Sequence, residues 1–261
     1  MLLEAKNVSK TFRSGGRSGE VHAVRDVTLQ ARPGEFVAIV GESGSGKSTL
    51  ARILLDLIPA TSGSVELNGV GIAGMDREQR WIYRRTVQAV LQDPAGSLNP
   101  RKRVEQAIGE VIRLHGIARA AGEVRDRTIE ALNKVGMSPA EQFLERFPHE
   151  LSGGQRQRVL IARALVLDPR IIVADEAVSA LDASVKSGVL RAMANLKDEL
   201  GVGYVFITHD LPIVKKVADR VYVMRHGEVV EAGTKDEIFL NPSHPYTRTL
   251  LDATPMLPSA R

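Results

Sequence analysis

The stretch Gly41-Glu42-Ser43-Gly44-Ser45-Gly46-Lys47-Ser48-Thr49 follows directly on the apolar run Phe36–Val40, and its residue types suit the holding of a polyphosphate. Glycine stands where backbone N–H groups must turn inward around phosphate oxygens. Lys47 adds a point charge for the β and γ phosphates, and the Ser48 hydroxyl supplies a ligand for Mg²⁺. The helix predicted from about Lys47 to Ile58 points its N-terminus at the same site, adding its dipole and its orphan N–H groups. A Gly/Ser-rich surface turn is the alternative, but it does not call for a buried strand on one side and a helix on the other. A dinucleotide fingerprint needs a different glycine spacing and a ribose-binding acid about twenty residues on.

Other residue types fit the same chemistry. Arg170–Glu176 reads as a buried strand ending in two carboxylates, Asp175 suited to order Mg²⁺ through water and Glu176 to accept a proton from water. Without the cradle, an acidic pair in a turn would explain them. Val87–Leu91 is a short apolar strand stopped at Gln92-Asp93-Pro94, which makes Gln92 a candidate ligand. Leu151-Ser152-Gly153-Gly154-Gln155 opens a helix through Arg156–Leu167. Ser152 is its N-cap and the glycines leave N–H groups free to approach another anion, though alone this is only a helix start. His209 ends the apolar strand Tyr204–Thr208, where ligands gather in doubly wound sheets, while a lone strand-end histidine is ordinarily structural.

The positioning elements read as follows. Leu2–Phe12 and Val21–Gln30 alternate apolar and polar residues as half-buried antiparallel strands do, with a Gly/Ser/Arg loop tip between them. Pro33-Gly34 turns the chain into Phe36–Val40, and a further strand spans Ser64–Leu67. Val104–His115, Val124–Val135 and Ala140–Arg146 carry helical spacing and form a helical insertion at about 93–165. Ser179–Asp182 leads into a helix over Ala183–Leu200. Arg220–Met224 and Glu228–Glu231 make a closing hairpin, and helices at about 234–253 end the pattern.

The 261 residues suffice for a sizeable core, and 43% hydrophobic with 25% charged residues is ordinary for a globular protein. Cysteine is absent, which excludes disulfides, thiolate zinc sites and cysteine-held iron–sulfur clusters. No apolar run approaches bilayer length and no signal-peptide layout opens the chain, so a cytoplasmic location is expected. A net charge of +4 permits nucleic acid or anionic lipid as a partner without arguing for either.

Taken together these motifs resemble the nucleotide-binding subunit of ABC transporters over nearly the whole chain, and the signature pentapeptide Leu151–Gln155 is the most specific of them. The resemblance implies roles. Phe12 matches the aromatic that stacks on adenine, Gly41–Thr49 the Walker A loop, Gln92 the Q-loop, Ile171–Glu176 Walker B, Ser179–Asp182 the D-loop with Asp182, and His209 the switch histidine. Gln92-Asp93-Pro94 with Ser97–Arg101, Phe147–Glu150 and Asn241…Tyr246-Thr247 are similar to the dipeptide, oligopeptide and nickel importer subfamily. Ala177-Val178, where most of the wider family has Pro-Thr, and Ala95, commonly larger in relatives, depart from the pattern.

The implied fold is α/β, one ABC nucleotide-binding domain over 1–261: a P-loop NTPase core of mostly parallel sheet with helices, an N-terminal antiparallel β subdomain and the helical insertion. The implied cofactors are ATP and Mg²⁺, the metal held through Ser48, Gln92 and, through water, Asp175. The implied partners are a second, non-identical ATP-binding subunit paired head to tail, two transmembrane permease subunits and, indirectly, an extracytoplasmic substrate-binding protein. Ser152, Gly153, Gly154 and Gln155 would then act on the partner's ATP. No nucleic acid is expected. A soluble ABC ATPase acting on nucleic acid or ribosomes, and an ATP-dependent scaffold of a soluble multi-enzyme complex, are the alternatives.

Overall fold

The computed structural model describes residues 1–13, 19–91 and 94–254; Gln92 therefore lies outside the described residues, as does the Ala95 side chain. The chain opens with two long strands, β1 (Leu3–Arg13) and β2 (Glu20–Ala31), before the short β3 (Phe36–Val40) and helix α1 (Lys47–Leu54). The strands β4 (Ser62–Leu67) and β5 (Val70–Gly71) precede α2 (Arg77–Thr86) and β6 (Val87–Val90). A run of helices follows: α3 (Pro94–Ser97), α4 (Val104–Leu114), α5 (Ala121–Lys134), α6 (Glu141–Leu144) and α7 (Gly153–Leu165). The remainder alternates as β7 (Ile171–Asp175), α8 (Ala183–Leu200), β8 (Gly203–Ile207), α9 (Leu211–Val217), β9 (Arg220–Arg225), β10 (Glu228–Thr234), α10 (Lys235–Leu240) and α11 (Pro245–Asp252).

These strands form two sheets. One is four-stranded in the order β2-β1-β4-β5 and antiparallel; the other is six-stranded in the order β10-β9-β3-β8-β7-β6. Within the second, β9, β3, β8, β7 and β6 run parallel, and only β10 joins antiparallel. Every residue of β3, β7 and β8 is buried, because a central parallel strand is covered on both faces and so reads as a continuous apolar run. The alternation is visible in what each face touches. Val37, Ile39, Ile171 and Val173 join α1 and the antiparallel sheet in one core, while Ile172, Ala174, Tyr204 and Phe206 join α4, α5, α7 and α8 in another. α9, α10 and α11 cover the β9 side.

Some sequence expectations shift. The first helix was expected to about Ile58 but ends at Leu54: Asp56 adopts φ +56°, which breaks the helical path, and Arg80 and Arg84 bind its carboxylate at 3.2 and 3.1 Å. The N-terminal strands alternate imperfectly, since β1 slips register against β2 near Val8, with Asn7 and Asp26 both at φ +49°. The expected helices at 104–115, 124–135 and 140–146 are present with boundaries moved by a few residues. Two helices carried too little periodicity to be read. Of α2 only Tyr83 is buried, and α9 is seven residues long.

Candidate nucleotide site

β3 ends at Val40, and the chain must reverse at once into α1. Gly41 has φ +148°, and a Cβ there would lie 2.1 Å from the Met224 carbonyl oxygen, so only glycine fits so close to β9. Lys47 opens α1 and folds back over the loop. Its ammonium donates to the carbonyls of Gly41 at 2.8 Å and Glu42 at 2.7 Å and to Ser45 Oγ at 3.3 Å, with the side chain 6% exposed. That burial lowers the lysine pKa, against the pull of Glu176, Asp175 and Glu42. The lysine is thus a preformed cation held at the mouth of a concave cleft.

β7 delivers the carboxylates to the same place. Ser48 Oγ donates to Asp175 Oδ1 at 3.1 Å, joining the first turn of α1 to the end of the strand. Asp175 is 7% exposed, and its carboxyl is pushed above the usual range, by burial first and by Glu176 as well, while the Ser48 hydrogen bond opposes the shift. Glu176 follows in the left-handed region at φ +49°, which turns its side chain away from the strand direction, and its Oε1 lies 3.3 Å from His209 Nδ1 at the end of β8. His209 remains largely exposed, and Asp210 beyond it caps α9 by accepting the Ile213 N–H at 3.3 Å.

A cleft of about 350 Å³ lies against this cluster, bounded by Ser43, Gly44, Lys47, Ser48, Thr49 and Glu176. The cleft is lined as well by Val21, His22, Ala23 and Arg25 of β2 and by His226 of the β9–β10 turn, none of which any sequence motif marks. Only the register of β2 against the loop reveals them. Phe12, the expected adenine platform, does not line the cleft. It pairs with Val21 on the neighbouring strand and is 43% exposed, with Lys10 Nζ 5.2 Å from its ring centre. Glu42 is exposed and contributes its backbone rather than its carboxylate to the lysine clamp.

The signature residues stand apart. Ser152 caps α7 by accepting the Gln155 N–H at 3.2 Å, and Gln155 Oε1 accepts the Ser152 N–H at 2.9 Å, a reciprocal capping box. Gly153 and Gly154 lie against Leu181 and Val185, where a Cβ would come within 3.0 and 2.3 Å of those side chains. None of Ser152–Gln155 lines the cleft that Lys47 closes. Asp182 is exposed at the head of α8 and makes no side-chain cap.

Ser48 and Asp175 are hard oxygen donors of the kind Mg²⁺ prefers, and a carboxylate buried this deeply favours a cation beside its ionised form. Among the described residues no group of three or more His, Cys, Asp or Glu gathers as an all-protein cage.

A P-loop, a strand-end acidic pair and a strand-end histidine on this two-sheet fold define a class, and the comparison with known sequences names it. The chain belongs to the ABC transporter family, whose profile matches residues 24–179, and residues 230–261 match the oligopeptide/dipeptide transporter C-terminal region. It is similar to the oligopeptide transport ATP-binding protein OppF of Streptococcus mutans, 41% identical over 254 residues that make up 97% of this chain and 82% of that one. The dipeptide transport ATP-binding protein DppF of Haemophilus influenzae is 46% identical over 238 residues, 91% of this chain and 72% of that one. The glutathione import ATP-binding protein GsiA of Salmonella typhimurium is 44% identical over 242 residues, and the match spans only 38% of that longer protein. Among solved structures, the dimeric bacterial ABC transporter cassette MJ0796 superposes with TM-score 0.77 at 32% identity, covering 89% of this chain and 98% of that one. CbiO1 of Clostridium perfringens, part of the transporter complex cbiONQ, gives 0.78 at 28%, covering 92% and 90%. Among the described residues no helix is long and apolar enough to cross a membrane.

Proposed function

We propose that the chain is the ATP-binding and hydrolysing subunit of an importer, with the roles of the residues as follows. Lys47 and the N–H groups of Gly41–Thr49 hold the β and γ phosphates. Ser48, Gln92 and, through water, Asp175 would hold Mg²⁺, which would supply neutralisation of charge on the phosphates. Glu176 accepts a proton from the attacking water, and His209 orients that water and the Glu176 carboxylate beside it. The chemistry is positioning and electrostatic stabilisation, and little covalent work falls to the protein. The observation that carries this reading is the convergence, at one cleft, of the Ser48–Asp175 contact at 3.1 Å with the Glu176–His209 contact at 3.3 Å.

Ser152–Gln155 serve a second subunit's nucleotide, and that subunit is non-identical. Two permease subunits take up the change that ATP binding drives, and an extracytoplasmic binding protein selects the cargo, which we assign as peptides or nickel chelates. The subunit works from the inner face of the membrane. Relatives named for oligopeptide, dipeptide and glutathione transport, and the match of residues 230–261, support the peptide arm.

The test is Glu176→Gln, which keeps size and hydrogen bonding but removes the base. ATP should still bind while turnover falls about 10²-fold or more, and nucleotide should stay trapped in a dimer. Turnover near the normal rate would remove Glu176 from the base role.

A further inference from the structure

The phosphate loop is gripped from outside by the C-terminal helix. Tyr246, in the first turn of α11, is 5% exposed, and the Arg225 guanidinium lies 4.7 Å from its ring centre. Its hydroxyl accepts the Glu42 N–H at 3.2 Å. That N–H shares one rigid peptide plane with the Gly41 carbonyl, and the Gly41 carbonyl accepts Lys47 Nζ at 2.8 Å. A single peptide is therefore held at both edges, by the lysine on the cleft side and by the tyrosine on the outer side.

The tyrosine is itself fixed. Glu231 of β10 accepts the Ser243 N–H and hydroxyl, both at 2.7 Å, and the His244 N–H at 3.1 Å, while His244 Nδ1 accepts the Tyr246 N–H at 3.1 Å. We propose that Tyr246 is a positioning residue for the phosphate loop. By holding the Gly41–Glu42 peptide, it keeps the Gly41 carbonyl on Lys47 and lets the docking of α11 set the affinity for the β and γ phosphates. The proposal rests on the reading of Gly41–Thr49 as the phosphate cradle.

The physical reason is population rather than contact. Gly41 carries no Cβ, so its peptide turns over cheaply once nothing holds the N–H. Turned over, the plane removes an acceptor from Lys47 and aims a carbonyl dipole elsewhere, and only the remaining cradle-shaped fraction binds polyphosphate at the intrinsic affinity.

The experiment is Tyr246→Phe in the full chain, which deletes one oxygen and leaves the ring packed under Arg225. ATP should bind about fivefold to tenfold more weakly, as expected for an amide left without its partner, while AMP, which does not reach Lys47, should bind as before. Hydrogen exchange at the Glu42 amide should accelerate. ATP affinity within about twofold of the native value would overturn the proposal, and so would an equal loss for ATP and AMP, which marks general loosening. Lys47→Ala measured in parallel separates the two layers. If Lys47→Ala loses ATP and Tyr246→Phe does not, this inference alone fails; if Lys47→Ala binds ATP normally, the cradle reading fails with it.

Discussion

At the scale of single residues, the chemistry of the site comes from where burial and charge disagree. Asp175 is 7% exposed at the end of a strand, and its carboxyl is raised above the ordinary value of 3.8 chiefly by that burial, against the pull of Ser48, Arg52 and Lys47. A carboxyl raised in the fold binds its proton more tightly there than in the unfolded chain. Its contribution to stability is therefore complete below 3.8 and is lost as pH rises through the higher folded value. Without divalent cations, the melting temperature of the native protein should fall across that mildly acidic window more than that of Asp175→Asn. Thermal melts of the two proteins from pH 4 upward check this, and parallel curves would show that Asp175 has no such penalty. Adding Mg²⁺ should lift only the native curve, by binding the folded state alone.

At the scale of elements, the start of α7 packs its glycines against the side chains of Leu181, just before α8, and Val185, in its first turn. A Cβ on Gly154 would lie 2.3 Å from Val185 Cγ1, closer than real contacts allow. Gly154→Ala gains about 1 kcal/mol of helix propensity but forces a β-branched neighbour to move, at about 1–3 kcal/mol, so the overlap wins. We expect Gly154→Ala to melt several degrees lower and Gly154→Ala with Val185→Ala to recover most of that loss; a calorimetric scan of the pair decides it. This contact shows what was legible in the sequence and what was not. Gly153 and Gly154 are visible as a helix start, and Ser152 as its N-cap, because those are local. That the glycines face Leu181 and Val185, some thirty residues on, is tertiary and leaves no local trace. The buried strands β3, β7 and β8 were readable as unbroken apolar runs for the same reason that α2 was not: continuous burial writes itself into composition, whereas a helix burying only Tyr83 does not. Likewise the lysine, the acids and the histidine are marked by motif spacing, while His22, Arg25 and His226 in the lining of the cleft depend on sheet register and turn placement.

At the scale of the whole molecule, the phosphate loop and the signature helix do not share the cleft, since the one closed by Lys47 is bounded by none of Ser152–Gln155. On the proposed reading each half-site needs a complement from another chain. A copy carrying Lys47→Ala mixed with a copy carrying Ser152→Arg discriminates the partner. A homodimer regains one intact composite site and part of its ATPase activity, whereas a chain that works only with a non-identical subunit regains none, which is the outcome we expect. Activity of the mixture rising above that of either copy would leave a homodimer. One last consequence follows from the backbone at Glu176, whose φ of +49° costs a residue with a side chain about 1–2 kcal/mol that glycine would not incur. A directed-evolution campaign scored on heat tolerance alone would thus find glycine at this position rewarding and would discard the carboxylate proposed as the base along with the strain. Any effort to harden the protein for use has to hold position 176 constant and gain its degrees elsewhere.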